Sequence, residues 1–238
     1  VVPVVNENDA VADDEIRFGD NDRLAALVAH LLGAEVLILL TDTAGLLSAD
    51  PRLDGGATLI EEVVEVDHTL EALAGGACSA RGSGGMASKL AAAKMAAWSG
   101  VKVIIASAGR PGVLADAAAG VPGVGTVVAP RAQRLPARKL WIAFAVGSSG
   151  TVVVDDGARR ALTERGVSLL PAGVVAVHGS FEADDAVELA GPEGAVFAKG
   201  LVRHSARQLK ELAGRRTADL PVDVPHEVVH RDDMVLLP

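Results

Sequence analysis

Tyrosine is absent from this chain, aromatic residues make up only 3% of it, and Cys78 is its single cysteine. One cysteine excludes an intrachain disulfide. No apolar run approaches the roughly 18 residues of a membrane-spanning helix. No secretory leader opens the sequence, which reads as soluble and cytoplasmic, in a reducing compartment. Positive charge is also scarce: 22 Lys and Arg stand against 31 Asp and Glu, a formal net charge of −9. That balance argues against nonspecific binding of nucleic acid or a membrane surface by the chain as a whole. What is abundant is Ala, Val, Leu and Gly, with half of the 238 residues hydrophobic. A chain of this length buries one large core or two modest ones.

The first half alternates buried strands with helices. Val1 to Val5 reads as a strand that ends in the polar run Asn6 to Ala10, and it opens without an initiator methionine or polar lead-in, so the expectation is that an N-terminal part precedes it. Leu24, Leu27, Val28, Leu31 and Leu32 recur at helical spacing behind Asp20, a natural cap. Glu35 to Leu40 is a continuous apolar run of strand length that ends in Thr41 and Asp42. A short helix is expected from His68 to Leu73 and another buried strand from Val101 to Ala106. Strands that alternate with helices and end in polar residues predict an open, mainly parallel α/β sheet with flanking helices and a ligand crevice at the carboxyl ends.

The segment GSGGMASKLAAAKMAAW, residues 82–98, places a glycine-rich loop before a helix with a lysine in its first turn. Gly82, Gly84 and Gly85 let the backbone turn sharply and approach a ligand. The free N–H groups and positive end of the helix then attract anionic oxygens, and Lys89 adds a full charge. The spacing fits neither the Walker pattern nor the dinucleotide fingerprint. Another phosphate-binding fold is implied.

Near Pro130 the character changes to the basic, proline-bearing run RAQRLPARK, and β-hairpin patterning follows. The expected division is a first domain over 1–130, a linker over 131–146 and a small β-barrel over 147–238. Within the last, strands are expected at Thr151 to Val154, Val174 to His178, Ala186 to Ala190, Ala195 to Lys199, Glu227 to Val229 and Met234 to Leu237. Helices are expected at Asp156 to Arg165 and Arg203 to Leu212.

PVVNENDAV, FGDND from Phe18, LLTDTAGL and GSGGMASKLAAA, in this order and spacing, resemble the amino acid kinase family and, within it, the glutamate 5-kinases. The second half is similar to the PUA domain that many bacterial members append. The resemblance implies an amino acid kinase fold, truncated at the N-terminus, that phosphorylates the γ-carboxylate of L-glutamate with ATP and Mg²⁺, the first step of proline biosynthesis. It also implies feedback inhibition by proline and a homo-oligomer. It assigns Lys89 to catalysis, Asp9 and Asn21 to the substrate, and Thr41, Asp42, Ser83, Gly84, Gly85, Met86, Ala87, Ser88 and Lys89 to ATP. Ser83 and Ser88 stand where the family commonly has threonine, and Ala87 where it commonly has serine. The family's N-terminal half, with its phosphate-binding lysine and small glycine loop, has no counterpart here, so the chain is expected to be inactive alone. The chemistry agrees with the resemblance: a carboxylate nucleophile is already ionised at neutral pH, so its phosphorylation needs positioning and charge neutralisation rather than a general base.

Other constellations carry less. HEVVH, His226 to His230, has zinc-protease spacing, but Pro225, Val228 and Val229 favour a strand and no third ligand follows, so no metal ligands are assigned. Arg203, His204, Arg207 and Lys210 could form an RNA-binding patch on a PUA-type helix, which leaves a non-catalytic RNA-binding module as an alternative function. Asp184, Asp185, Glu188 and Glu193 and the lack of aromatic stacking residues oppose it. A related kinase with another acidic substrate is the remaining alternative.

Overall fold

The computed structural model describes residues 2–6, 21–75, 85–220 and 225–237. The chain divides into two units, Val1–Leu135 and Pro136–Pro238.

The first unit contains α1 (Asn21–Leu32), β1 (Val36–Thr41), β2 (Glu62–Val63), α2 (His68–Gly75), α3 (Met86–Trp98), β3 (Lys102–Ser107), α4 (Val113–Ala118) and β4 (Gly125–Val128). Its sheet runs β1-β3-β4-β2. β1 lies parallel to β3 and β2 to β4, whereas β3 and β4 are antiparallel, so two of the three pairings are parallel. The antiparallel pairing brings Gly125 and Thr126, at the start of β4, to the carboxyl ends of β1 and β3, with Thr126 opposite Ile105 and Gly125 opposite Ala106. β4 had no clear strand signal in sequence, and the two-residue β2 is too short to have one.

The expected strand at Val1–Val5 is corrected: residues 2–6 lie outside any strand, with Val2, Val4 and Val5 exposed. An apolar run becomes a strand only when a neighbour offers a ladder edge, and among the described residues none pairs with it. α3 is alanine-rich, which favours helix, and is buried on most sides, as a helix without a polar face must be. It packs against α1 and α2. It ends where Gly100, at φ +77°, takes the left-handed conformation, with Gly100 N–H donating to Ala97 and Val101 N–H to Ala96. Trp98 is 1% exposed, and the Arg131 guanidinium sits 3.8 Å from its ring centroid.

The second unit contains α5 (Ala137–Phe144), β5 (Gly150–Val154), α6 (Asp156–Arg165), β6 (Val174–Gly179), β7 (Ala186–Ala190), β8 (Val196–Val202), α7 (Ala206–Leu212) and β9 (Val229–Leu236). Its five-stranded sheet runs β6-β5-β7-β8-β9. Among the described residues β6 and β9 are the two ends of this ladder, and an antiparallel bridge joins Leu169, ahead of β6, to Val229 of β9. Register shifts in β5, β7 and β8 bend the sheet. Val152, Val154, Val187, Leu189 and Met234 from the strands, with Leu162 of α6 and Leu209 of α7, form its core.

Three local readings change. The helix read from Arg203 starts at Ala206, because Ser205 and Gln208 form a capping box. The two terminal strands are one, β9. Residues 137–144, within the segment read as a linker, form α5, which packs on β8 and β9 and leaves Trp141 49% exposed.

Candidate active site

β1 ends in a threonine hydroxyl and a carboxylate at the carboxyl edge of a parallel strand pair, the edge where open α/β sheets bind ligands. Thr41 Oγ1 donates to Asp42 Oδ1 at 3.1 Å. The chain then forms a wall: Leu46 and Ser48 exchange backbone bonds with Ile60 and Thr58, and Leu47 bridges Leu59. Within this wall Arg52 donates to both oxygens of Asp50, at 3.1 and 3.0 Å. Those hydrogen bonds hold the Asp50 carboxyl below its usual range and raise the Arg52 guanidinium above its own.

Opposite the wall stands the start of α3. Its cap residue, Gly85, supplies no side-chain acceptor to the first-turn N–H groups. Gly85 and Met86 line the cavity, and a helix start with free N–H groups and a positive dipole end favours anions. Lys89, one turn in, is mostly buried and pairs with Asp22 at the start of α1, Nζ lying 2.9 Å from Oδ2 and 3.0 Å from Oδ1. Ser88 Oγ donates to the same carboxylate at 3.4 Å. The pair fixes the ammonium at the cavity, since a mostly buried charge is held by its partner.

Between wall and helix lies a cavity of about 460 Å³, lined by Thr41, Asp42, Leu46, Gly85, Met86 and Lys89 among others. A smaller cavity of about 240 Å³, bordered by Glu61, Glu62 and Lys102, contains none of the residues singled out in sequence.

Five of the expected site residues therefore meet in one cavity: Thr41, Asp42, Gly85, Met86 and Lys89. Ala87 and Ser88 belong to the same helical turn but do not line it. Asn21 stands apart, its Nδ2 donating to Asn6 Oδ1 at 2.9 Å, yet it is the chain neighbour of Asp22. Asp9, Ser83 and Gly84 lie outside the described residues. Asp22 and the apolar lining at Leu46, Leu47 and Leu73 were not assigned from sequence. Asp22 lies inside the FGDND run, and that signal was available.

In the second unit the basic patch does not assemble as read. His204 is 2% exposed, and Arg203 bonds Asp233 at 3.3 Å, beside Arg138 at 2.6 Å from the same carboxylate. HEVVH is not helical, since Val229 and His230 open β9. Among the described residues no group of three or more His, Cys, Asp or Glu side chains could hold a metal ion, and no helix is long and apolar enough to cross a membrane.

Residues 1–107 match the amino acid kinase family and residues 150–221 the PUA domain. The chain is 48% identical over 236 residues to a glutamate 5-kinase of Mycolicibacterium vanbaalenii, covering 98% of this chain and 62% of that protein. It is 46% identical over 239 residues to a glutamate 5-kinase of Herpetosiphon aurantiacus, covering 99% of this chain and 64% of that one. The chain thus spans less than two thirds of the length of these curated relatives. A uridylate kinase from Archaeoglobus fulgidus is similar at 25% identity and a TM-score of 0.35, over 45% of this chain and 46% of that one. By these matches the chain is similar to the amino acid kinase family over residues 1–107 and to the PUA domain over residues 150–221.

Proposed function

We propose that this chain provides the nucleotide-handling part of a kinase that transfers the γ-phosphoryl group of ATP to the γ-carboxylate of L-glutamate. The observation that carries this reading is the convergence of Thr41, Asp42, the uncapped start of α3 and Lys89 on one cavity. The 48% identity to a glutamate 5-kinase supports the substrate.

In this reading the apolar lining from Leu46, Leu47 and Leu73 takes the base, and the α3 N–H groups take phosphate oxygens. The glutamate carboxylate attacks the γ-phosphorus as an ionised nucleophile. Lys89 neutralises charge on the transferring group, and Asp22 orients the ammonium. Asn21, with Asp9, serves the amino acid, donating to its carboxylate and accepting from its ammonium respectively. Mg²⁺ in kinases is held by one or two carboxylates together with phosphate oxygens, and Asp42 on the cavity wall fits that role without a dedicated protein cage. Bound there, it would neutralise phosphate charge. Proline inhibition and a homo-oligomer belong to the same proposal, and RNA binding by the PUA domain does not.

Calorimetry with ATP tests the nucleotide half, and hydroxamate trapping of an acyl phosphate tests the transfer in a chain extended to the length of its relatives. Saturable ATP binding and glutamate-dependent hydroxamate are expected. No ATP binding at millimolar concentration, or hydroxamate formed equally with aspartate, overturns the corresponding half.

A further inference from the structure

The cavity wall hangs from one buried hydroxyl in a strand that does not line the cavity. Thr126 of β4 is 0% exposed. Its Oγ1 accepts from Leu46 N–H at 2.8 Å and donates to the Ile60 carbonyl at 2.7 Å. Leu46 is itself buried, lines the cavity and accepts at its carbonyl from Ile60 N–H at 2.9 Å. A single side chain thus ties three segments, β4, the loop after β1 and the stretch before β2. The antiparallel course of β4 is what brings Thr126 to the cavity end of the sheet. Gly45 reports how close the fit is: it stands at φ +152°, and a Cβ there would come 2.7 Å from Thr126 Oγ1, 2.8 Å from Leu59 Cδ1 and 2.9 Å from the Thr126 nitrogen. No side chain fits between loop and strand.

We propose that Thr126 is a positioning residue for nucleotide binding, its hydroxyl setting the place of the Thr41–Leu47 wall against the start of α3. It touches no ligand. It acts through the Leu46 amide, which without it becomes a buried donor lacking a partner. A wall released to satisfy that donor from water leaves the geometry that the ligand meets. The proposal rests on the cavity's being a nucleotide site.

Thr126→Val keeps the shape and removes the hydroxyl, and Thr126→Ser keeps the hydroxyl. With ATP as the probe, T126V is expected to bind about tenfold more weakly and T126S within about twofold of the parent, the size expected from one unsatisfied buried donor. Hydrogen exchange supplies a readout independent of the ligand: the Leu46 amide exchanges at least tenfold faster in T126V, while the Ile104 and Ile105 amides of β3 keep the parent rate. Gly45→Ala, which pushes on the same contact from the loop side, is expected to weaken ATP binding at least as much. Either ATP affinity or Leu46 exchange at the parent value in T126V overturns the proposal, as does a loss that serine fails to restore. A parent that binds no ATP overturns the nucleotide reading and this proposal with it, whereas a parent and a T126V that bind equally well overturn this proposal alone.

Discussion

Helix α3 in the first unit and helices α6 and α7 in the second begin in opposite ways. α6 is closed by Asp155, whose Oδ1 accepts from Ala158 N–H at 2.7 Å. α7 is closed reciprocally, Gln208 N–H donating to Ser205 Oγ and Ser205 N–H to Gln208 Oε1. α3 opens on Gly85, which has no side chain to cap its first-turn donors. A side chain that caps a helix competes for the same N–H groups that an anion would take, so one helix end cannot serve both purposes fully. α6 and α7 use their first-turn donors for stability, whereas α5, opened by Pro136, has no side-chain cap, and in the proposed function α3 keeps its own donors for a ligand.

The comparison is broken most severely at Lys89. In a chain extended to the length of its relatives, Lys89→Ala is expected to lower phosphoryl transfer roughly 10³-fold, as for loss of a charge-stabilising group, with little change in glutamate affinity. Hydroxamate kinetics read this, and a loss of only a few-fold would return the lysine to a structural pairing with Asp22.

Gly85→Asp inverts the logic directly by giving α3 a cap like that of α6. The backbone at Gly85 is extended and a Cβ there meets nothing within 4 Å among the described residues, so the change is expected to fit without strain. Thermal melting is expected to hold or rise, by about 1 kcal/mol at most, while ATP affinity falls tenfold or more. Unchanged affinity in calorimetry would mean that the open helix end is not part of the site.

The converse substitutions sharpen the contrast. Asp155→Ala and Ser205→Ala are each expected to cost about 1 kcal/mol in denaturant unfolding of the second unit, with ATP affinity unaltered.

The smallest effect is one of pH. Burial holds the imidazole of His204 below its ordinary value of 6.5, with backbone hydrogen bonds at Glu227 and Pro225 opposing in part, and its Nε2 has no hydrogen-bond partner among the described residues. The folded unit therefore binds fewer protons than the unfolded chain as pH falls below 6.5, and its stability declines on acidification through that range. Denaturant midpoints from pH 7.5 to 5 should show the decline, and His204→Gln should flatten it.

The second unit was largely legible in sequence because its elements are local. α6 and β7 match the expected ranges to the residue, bounded by the Asp155 cap and by the GPEG turn, where Gly194 N–H donates to Gly191. The same locality made the cavity residues legible, since Thr41 and Asp42 end a strongly apolar strand and the glycine loop announces α3. What escaped was everything set by partners distant in the chain. Val1–Val5 has a strand pattern, yet residues 2–5 have no ladder neighbour among the described residues, β2 exists only through its pairing with β4, and the antiparallel course of β4 is chosen by the sheet. Lys89 announced itself, whereas Asp22, 67 residues earlier, needed the fold to reveal it.

Trp98 and Trp141 are the chain's only tryptophans, and they fall one to each unit in a protein without tyrosine. The first lies sealed beneath Arg131, and the second is half open to solvent. Intrinsic fluorescence therefore divides cleanly: a blue-shifted emission belongs to the first unit and moves to the red only when that unit opens, over a background from the second unit that is already red. The protein carries its own two-colour record of which half unfolds first.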